Sequence, residues 1–287
     1  MLPCLESIKG LPFPVFVVDS YSTDRTLSIL EQKKIPYAQH PFENYAKQRN
    51  WAQQNNPFQS EWVFHLDAGE RLTPTLADWM CHQFDPDQLE YDGYMFSRKT
   101  VFFNRWIRYG GHYPNFHLRL YRVSEGSCED KVYDQHFVVK GSVKIVRKGI
   151  DIIDTVADNL NDFTSSHARW ALFEAVEILS AQKQTGEVKM SLFGTPIEKR
   201  RWLKNNVFQK APMFSRSFVY FLYRYFIKLG FLDGAVGLVF HFLQGFWFRF
   251  LVDAMAYEMK AKMKQKRVSL SELIQQEYDP KLLQIVE

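Results

Sequence analysis

The stretch that decides the fold is Glu61-Trp62-Val63-Phe64-His65-Leu66-Asp67-Ala68-Gly69-Glu70, in which a short apolar run ends in acidic and small residues. The run is too short for a helix and rich in strand-forming residues, so it predicts a buried strand. Carboxylates at the end of such a strand lie where open α/β sheets bind ligands, and hard divalent cations prefer oxygen ligands. The alternative is an acidic turn before a helix with Thr73 as N-cap and Pro74 in its first turn.

A second predicted strand also ends in an acidic turn. Val15–Val18 is rich in β-branched residues, and Asp19-Ser20-Tyr21-Ser22-Thr23-Asp24 follows it directly. Both strands therefore end in an aspartate followed by small or polar residues. Small residues allow a bulky anionic group to approach the backbone, so the pattern favours a ligand site over two unrelated turns.

The segments between the two acidic turns predict crossover helices. Helical patterns run from Arg25 to Lys33 and from Ala46 to Gln54, with a weak strand at Ile35–Ala38 between them. Strands that alternate with helices are typical of a parallel sheet. In such a sheet the turns at Asp19 and Asp67 would share one edge; the alternative for Asp19 is a helix-capping network.

Composition and charge restrict the class of protein. Of the 287 residues, 46% are hydrophobic and 24% charged, as in ordinary globular proteins. The net charge is only +4, so the chain as a whole carries no nucleic-acid signature. Its three widely spaced cysteines form neither a metal pattern nor a disulfide framework, which favours a reducing compartment. The residues after Met1 show no signal-peptide pattern.

Two segments together resemble the hallmark segments of family 2 glycosyltransferases. They are Val17-Val18-Asp19-Ser20-Tyr21-Ser22-Thr23-Asp24-Arg25-Thr26 and Trp62-Val63-Phe64-His65-Leu66-Asp67-Ala68-Gly69-Glu70. The resemblance extends over residues 1 to 180 and is closest to the branch that builds bacterial envelope polysaccharides and the lipopolysaccharide core. It implies an α/β chain with the GT-A fold, a Rossmann-like mixed sheet flanked by helices. It also implies a nucleotide-diphosphate-sugar donor and Mg²⁺ or Mn²⁺ as cofactor.

The resemblance also implies roles for residues of the two acidic turns. Nucleotide-sugar contacts fall on Asp19, Ser20, Ser22, Asp67, Ala68 and Gly69, and metal contacts on Asp67 and Glu70. The sequence departs from the family pattern in two ways. The usual Asp-x-Asp reads Asp67-Ala68-Gly69, so Glu70 replaces the second carboxylate only in part. The family's first strand and its Asn-Glu turn are expected to precede Met1, or the nucleotide pocket lacks a wall.

The middle of the chain predicts strands around a glycine loop. Tyr91–Ser97 and the strictly alternating Phe116–Arg122 are typical strands, and Gly110-Gly111-His112-Tyr113-Pro114 predicts a loop that a ligand approaches closely. By the resemblance this region lies between donor and acceptor, and residues on the acceptor or diphosphate side are Gly111, Tyr113, Arg119 and Arg122. The alternative for the two arginines is a solvated strand face.

A polar cluster, Cys128-Glu129-Asp130-Lys131-Val132-Tyr133-Asp134-Gln135-His136, precedes a strand predicted at Phe137–Val139. An inverting transfer needs a carboxylate as general base for the acceptor hydroxyl. Asp134 is the first candidate, because it matches the acidic residue that the resembling branch carries here. Glu129 and Asp130 are the other candidates. His136 is expected to orient such a carboxylate or to be a strand residue, and His65 to be a packing residue.

The remainder of the chain predicts helices. A packing helix is indicated at Asn161–Leu179, with Glu174 as a structural residue rather than a site residue. The predicted division is a GT-A domain at residues 1–150, packing helices at 151–205, and amphipathic membrane-associated helices at 206–287. The last range is rich in aromatic and basic residues, including Arg224, Lys228 and Arg249.

These C-terminal helices are expected to lie on a membrane. The charge-free run Gly234–Phe248 has about 15 residues, or about 22 Å of helix, against the roughly 20 apolar residues that a bilayer core requires. The run is too short by this measure, which favours helices in the membrane interface with a break between Gly230 and Gly237. Lys260, Lys264 and the neighbouring cations would contact anionic lipid. The alternative is an oligomer interface formed by aromatic helices.

The sequence thus leads to one hypothesis and two alternatives. The hypothesis is an inverting glycosyltransferase, peripheral or monotopic on the cytoplasmic face of the inner membrane. It would use a lipid-linked or lipopolysaccharide-core saccharide as acceptor, an anionic membrane surface as partner and no nucleic acid. The alternatives are a nucleotidyltransferase on a similar sheet, which usually has a glycine-rich basic loop, and a membrane scaffold that does not bind donor.

Overall fold

A computed structural model describes residues 1–157, 159–180, 188 and 190–286. The chain forms two compact units, Met1–Lys99 with Pro114–Thr155 and Thr100–Tyr113 with Val156–Glu287. The predicted division at residues 150 and 205 stays a prediction. Residues 158, 181–187 and 189 of its middle range, and residue 287 of its last, lie outside the described residues.

The regular elements in the described part of the chain are as follows. Strands are β1 Val17–Asp19, β2 Tyr37–Gln39, β3 Trp62–Phe64, β4 Glu70–Leu72, β5 Gly93–Phe102, β6 Arg105–Ile107, β7 Phe116–Arg122, β8 Gly126–Cys128, β9 Phe137–Val139, β10 Val143–Ile145 and β11 Asp151–Ala157. Helices are α1 Leu2–Ser7, α2 Thr26–Gln32, α3 Tyr45–Gln54, α4 Pro74–His82, α5 Leu160–Leu179, α6 Pro196–Leu203, α7 Ser215–Leu222, α8 Gly234–His241, α9 Phe248–Lys266 and α10 Leu270–Glu277. Tighter or wider helical turns are Lys204–Phe208, Tyr223–Ile227, Gly230–Asp233, Phe242–Trp247 and Pro280–Ile285.

The strands form a mixed sheet and two small sheets. The larger sheet has the order β3-β7-β5-β11-β4, with β6 and β10 also paired to β5. β3 and β7 are antiparallel, as are β5 and β7, whereas β10 is parallel to β5. β1 and β2 form a separate parallel pair, and β8 and β9 an antiparallel one. The chain is therefore a mixed α/β protein, as predicted.

The prediction of one parallel sheet through the two acidic turns was wrong. β1 is paired with β2, whereas β3 is paired antiparallel to β7, so the two turns end strands of different sheets. The physical reason is that β7 is a long strand and offers β3 an antiparallel partner that lies more than fifty residues away in sequence. Alternation identifies a strand but not the strand beside it.

Local sequence signals position the acidic stretch in the first unit. The Thr73 side chain accepts a hydrogen bond from the Leu76 amide, and Pro74 is the first residue of α4, so the capping pattern is confirmed. Beneath the sheet lies a core of apolar side chains. Its buried members are Leu72, Leu76, Trp79, Met80, Tyr94, Phe96, Leu120, Val146, Ile150 and Ile152.

The second unit has its own core. Phe102, Ile107, Phe163 and Phe240 pack together and are almost fully buried. Phe103 and Asn104, between β5 and β6, both have positive φ values, 49° and 57°, as the two-residue turn of a tight hairpin requires. Arg249 of α9 forms ion pairs with the buried Glu174 of α5 at 2.8 and 3.1 Å. Glu174 therefore has the structural role that its position predicts.

The C-terminal helices confirm one expectation and correct another. The backbone changes course at Leu229, which is in the left-handed conformation, and again at Gly234, whose φ is 69°, so a break lies within the predicted interval from Gly230 to Gly237. The helical stretch Gly230–Lys266 is nevertheless, by length and composition alone, apolar enough to cross a membrane. The exclusion of a spanning helix by length was therefore wrong. That exclusion counted only the residues between Asp233 and Arg249, because both are charged. Both charges have partners inside the unit, since His241 lies 3.5 Å from Asp233 and Arg249 is paired with Glu174.

Several cations of the basic C-terminal range, including two of those expected to contact anionic lipid, have partners inside the second unit. Arg216 is buried and paired with the buried Asp253, and Arg224 donates to the carbonyl oxygen of Gly110 at 2.6 Å. Lys262 and Lys266 are 2.9 and 2.6 Å from Glu277. The basic character of the sequence therefore overstates the positive charge that this unit presents to a membrane.

The apolar surface of the same unit is nevertheless large. Aromatic rings contact one another in a continuous series from Tyr257 to Phe231. The members in order are Tyr257, Phe214, Phe250, Phe246, Phe242, Phe221, Tyr225 and Phe231. Phe250, Phe242 and Phe231 of this aromatic series are 40–45% exposed. Continuous exposed apolar surface of this kind marks a partner or a membrane.

Candidate functional site

The acidic turn after β3 is closed by its own backbone. The Glu70 amide donates to the Asp67 carbonyl oxygen at 2.8 Å, and the Asp67 amide donates to the Glu70 carboxylate at 3.1 Å. Ala68 and Gly69 form the turn between them. The two predicted acids are thus held side by side, one following β3 and the other opening β4.

Asp67 lies between two arginines. Arg49 Nη2 donates to both carboxylate oxygens of Asp67, at 2.9 and 3.0 Å, and Arg119 Nη2 donates to Oδ2 at 3.2 Å. The Asp67 side chain remains 43% exposed, whereas the Arg119 side chain is only 5% exposed. Asp67 is therefore the acid of this turn that a ligand can reach.

Glu70 is a buried acid whose partners are all in the first unit. Its carboxylate accepts from Arg119 at 2.5 Å and lies 3.7 Å from Arg98. Arg98 in turn is 3.4 Å from Asp154. Three guanidinium groups and three carboxylates thus form one charge-balanced arginine–carboxylate network, consisting of Arg49, Arg98, Arg119, Asp67, Glu70 and Asp154.

The network changes the protonation of its members. Burial raises the pKa of Asp67, but Arg119 and Arg49 outweigh it and hold that pKa well below its usual range. Burial lowers the pKa of the neighbouring His65 to about 3, and the two arginines add to the effect. Asp67 is therefore ionised and His65 neutral near pH 7. His65 stacks on Phe137 at 4.5 Å, consistent with the packing role that was expected.

Three consecutive residues of α3 connect the three segments that the sequence singles out. Gln48 donates to the Ser20 hydroxyl at 3.0 Å, and Arg49 holds Asp67. Asn50 donates to the Cys128 carbonyl oxygen and accepts from the Cys128 amide, both at 2.8 Å. Successive helical residues point about 100° apart, so one short run can reach three directions.

Sequence reasoning missed this Gln48-Arg49-Asn50 run. The helix itself was predicted, but its polar residues were not assigned to the site. A signal was present, because α3 is polar on most sides although it lies between two strands. A polar helix in such a position needs polar partners, since buried hydrogen-bonding groups are normally satisfied.

Asp19 is buried at the end of β1. Its Oδ2 accepts from the Ser22 amide and from the Gln39 side chain, each at 3.0 Å. Burial raises the pKa of Asp19, but these hydrogen bonds outweigh it and lower the pKa below its usual range. Ser20 and Ser22 lie in the turn that Asp19 organises. Contact of these three residues with a nucleoside stays a prediction.

The three candidate bases differ in accessibility. Glu129 is fully buried, and its carboxylate accepts from the His136 amide at 2.9 Å and lies 3.3 Å from His136 Nδ1. Asp130 is exposed, and Asp134 is half-buried with a positive φ of 57°. Positive φ is uncommon outside glycine, although aspartate tolerates it better than most residues. His136 thus contacts a carboxylate, as expected, and that carboxylate belongs to Glu129.

The structure separates the two predicted arginines of β7. Arg122 contacts Glu61 and lies over the Trp62 ring at 4.5 Å, at the beginning of β3, whereas Asp67 follows the end of that strand. Arg119 is buried beside Asp67 and Glu70, so the solvated alternative does not describe it.

Gly111 and Tyr113 belong to the second unit. In that unit Asp233 accepts from the backbone amides of Arg108 and Tyr109 at 3.1 and 3.0 Å, and the Gly110 amide donates to the Lys228 carbonyl oxygen at 2.9 Å. Gly110 has a φ of 65°, and a Cβ there would lie 2.1 Å from the His241 ring, so only glycine fits. The predicted glycine loop is confirmed as a backbone feature.

The carboxylates do not offer a ready cation site. In residues 1–157, 159–180, 188 and 190–286, no group of three or more His, Cys, Asp or Glu side chains is placed to hold a metal ion. Asp67 and Glu70 both accept hydrogen bonds from guanidinium groups. The residues present therefore do not fit Mg²⁺ or Mn²⁺ without rearrangement of these ion pairs, and the cation stays a prediction.

Comparison with known proteins gives limited but consistent similarity. No family model matches the chain. A segment of 74 residues is 34%, 32% and 34% identical to proteins named uncharacterized glycosyltransferase from Rickettsia felis, Rickettsia bellii and Rickettsia conorii. The segment covers 26% of this chain and 25%, 24% and 26% of those proteins, respectively, so the match spans about a quarter of their length. These relatives support a general role in glycosyl transfer.

Proposed function

We propose that the chain is an inverting glycosyltransferase of GT-A type that uses a nucleotide-diphosphate sugar as donor. The observation that supports the proposal is the Gln48-Arg49-Asn50 run, which contacts Ser20, Asp67 and Cys128 within the first unit. These contacts join the two acidic turns to the strand that precedes the candidate bases. The named relatives support the reaction class.

In the proposed reaction the acceptor hydroxyl oxygen attacks the anomeric carbon from the face opposite the diphosphate. The bond from the anomeric carbon to the diphosphate oxygen breaks, and the nucleoside diphosphate leaves with the bonding electron pair. A carboxylate takes the hydroxyl proton as general base. Guanidinium groups stabilise the charge that develops on the leaving diphosphate.

Asp134 is the proposed base, with Asp130 as the second candidate. Glu129 is proposed to hold the loop, because its carboxylate is buried and bonded to the His136 amide. A buried acid without access to solvent cannot meet an acceptor hydroxyl unless the loop opens. The positive φ of Asp134 supports its assignment, since residues in sparsely populated backbone conformations are concentrated at functional sites.

The test compares Asp134→Asn, Asp130→Asn and Glu129→Gln in transfer and donor-hydrolysis assays with a panel of nucleotide sugars. Loss of general-base catalysis is expected to lower kcat by about 10²–10⁴-fold in Asp134→Asn, with donor affinity unchanged. Glu129→Gln is expected to lower stability instead. Full activity in both aspartate variants would contradict the assignment. Calorimetry that finds a folded protein without affinity for any nucleotide sugar would support the scaffold alternative.

The acceptor is proposed to be a lipid-linked or lipopolysaccharide-core saccharide, with the second unit on the cytoplasmic face of the inner membrane. Support comes from the aromatic series and from exposed residues that flank it, Phe226 at 53% and Ile227 at 71%. These residues lie on several helical segments, which favours insertion of a surface into one leaflet. Vesicle flotation tests the association.

A further inference from the structure

We propose that the arginine–carboxylate network binds the donor diphosphate without a divalent cation. The inference rests on the function proposed above and departs from the metal that the resemblance implies. Asp67 and Glu70 hold Arg49 and Arg119 in place, and the exposed part of the Arg49 guanidinium group offers N–H donors to the diphosphate where a cation would otherwise bind. The argument depends on how each carboxylate oxygen is used.

Glu70 cannot serve as an accessible metal ligand in this arrangement. Its side chain is 2% exposed, one oxygen accepts from Arg119 at 2.5 Å, and the other accepts from the Asp67 amide at 3.1 Å. A cation would have to displace Arg119, whose side chain is itself 5% exposed. Displacement would leave a buried guanidinium group without its partner, which is strongly unfavourable.

Asp67 is accessible to ligands, but its carboxylate is already paired with two guanidinium groups. Arg49 donates to both carboxylate oxygens of Asp67, and Arg119 donates to Oδ2. All three donor–acceptor distances are between 2.9 and 3.2 Å. A divalent ion bonded to Asp67 would lie within a few ångströms of both guanidinium groups. Like charges at such short range repel strongly where the surroundings are partly buried. The network therefore disfavours the cation on electrostatic grounds.

The same geometry presents Arg49 to a ligand. Its guanidinium carbon lies 5.5 Å from the centre of the Tyr45 ring and 5.2 Å from that of Phe137, and its side chain is 19% exposed. The two rings and Asp67 fix the group at the accessible edge of the network. A planar guanidinium fork held in this way is suited to phosphate oxygens, which it binds in pairs.

Gly69 shows that the backbone does not exclude a further carboxylate. A Cβ at this position would lie 3.9 Å from the Thr155 carbonyl oxygen, which is ordinary contact, and Gly69 does not have a positive φ. An aspartate is therefore sterically acceptable there. Gly69→Asp adds a carboxylate two residues from Asp67 and should create a cation site, with Gly69→Ala as the matched control.

The first experiment measures Mn²⁺ binding to the protein alone, by electron paramagnetic resonance and calorimetry. The wild-type protein and Gly69→Ala are expected not to bind Mn²⁺ at this turn, and Gly69→Asp is expected to bind one ion. Stoichiometric binding by the wild-type protein that Asp67→Asn abolishes would overturn the proposal. Gly69→Asp serves as the positive control, because its added carboxylate offers oxygens that no guanidinium group occupies.

The second experiment measures nucleotide-sugar affinity in chelator and in Mn²⁺. Equal affinity in both is expected, and Arg49→Lys, which keeps the charge but loses the fork, should weaken binding about tenfold or more without rescue by Mn²⁺. Affinity that appears only with Mn²⁺ would overturn the proposal. Absence of binding to every nucleotide sugar under both conditions would contradict the proposed function, while Mn²⁺ binding to the protein alone would still decide the cation question.

Discussion

Arg119 connects strand β7 to both acids of the turn. Its guanidinium group contacts Asp67 and Glu70, and the residue is 4% exposed. Arg119→Ala would leave Glu70 buried without its closest cation. Removal of one partner of a buried ion pair costs about 3–5 kcal/mol, so the free energy of unfolding should fall by that amount in urea denaturation.

The control for Arg119 is a surface pair on the same unit. Lys47 pairs with Glu43, and both side chains are about half exposed. Lys47→Ala should leave the free energy of unfolding almost unchanged, because exposed ion pairs contribute little to stability. Equal effects of the two substitutions would show that the network does not stabilise the unit.

The lowered pKa of His65 leads to a predicted pH dependence of the free energy of unfolding. Burial lowers its pKa in the folded protein to about 3, whereas in the unfolded chain it is about 6.5. The unfolded chain thus binds the proton first, and the free energy of unfolding should decrease as the pH falls from about 6.5 toward 3. The slope from this residue is at most about 1.4 kcal/mol per pH unit.

Urea denaturation at several pH values, compared between wild type and His65→Phe, measures that contribution. Tyr121 fixes the state of the imidazole, because its hydroxyl is 2.8 Å from Gln53 Oε1 and 3.0 Å from His65 Nε2. The hydroxyl donates to the glutamine oxygen, so it accepts from a protonated Nε2. The phenylalanine variant should lose the slope between pH 6.5 and 3; an unchanged slope would assign it to other groups.

Single residues also show where sequence reasoning ends. Asp67 was identified because an acid directly after an apolar strand is visible in a short window. Arg49 was not, because its ion pair with Asp67 spans 18 residues, and the polar character of α3 indicates that the helix has polar partners without identifying them. Arg119 and Arg122 are three positions apart in β7 and therefore lie on opposite faces of the strand. Which of the two lies beside the acidic turn depends on the pairing of β7 with β3, which the sequence does not contain.

Among the elements, α3 carries the largest consequence for the first unit. Asn50 makes two hydrogen bonds to the backbone of Cys128, so it holds β8 against the helix. Asn50→Ala would leave a backbone donor and acceptor unsatisfied, at a cost of about 1–3 kcal/mol for each buried group. Chemical denaturation should show this loss, together with faster hydrogen exchange of the Cys128 amide.

Asn55 provides the matched control for Asn50. It is at the C-terminal end of the same helix, and its exposed side chain donates to the Trp51 carbonyl oxygen of that helix. Asn55→Ala should change the free energy of unfolding much less than Asn50→Ala. If the two variants changed the free energy of unfolding equally, the hydrogen bonds of Asn50 would not be what holds β8 against α3.

Elements were predicted better than their partners. β7 and β9 have the predicted bounds, and α3 begins one residue before the predicted start because Asn44 caps it. The parallel pair of β1 and β2 agrees with the predicted strand–helix–strand pattern. The antiparallel partner of β3, which is β7, was not predictable from local pattern, since any apolar strand satisfies the same alternation. Register depends on contacts between distant segments, which a window of ten residues does not contain.

For the whole molecule, the prediction concerns membrane contact. Phe226 and Ile227 are exposed residues of the second unit, and insertion of each would bury apolar surface worth about 1.5–3 kcal/mol. Phe226→Ser with Ile227→Ser should therefore lower binding to vesicles of phosphatidylcholine and phosphatidylglycerol by tenfold or more. Vesicle flotation measures the bound fraction.

The control for the membrane prediction is Leu89→Ser. Leu89 is 90% exposed but belongs to the first unit. The Leu89→Ser variant should bind vesicles as the wild-type protein does. A loss of the bound fraction equal to that of the Phe226→Ser and Ile227→Ser variant would indicate nonspecific adsorption. Because Arg216, Arg224 and Arg249 have internal partners, added salt should weaken binding less than the count of basic residues indicates.

The path of the segment from Arg108 to Gly110 is fixed by hydrogen bonds of its own main-chain atoms. Its three amides donate hydrogen bonds to the Asp233 carboxylate and to the Lys228 carbonyl oxygen, and the Gly110 carbonyl oxygen accepts a hydrogen bond from Arg224. The side chains at positions 108 and 109 are therefore not what determines this course. Either side chain can therefore be exchanged while the path of the segment is preserved. A change at Asp233, by contrast, would release the path itself, even though that residue lies more than a hundred positions downstream.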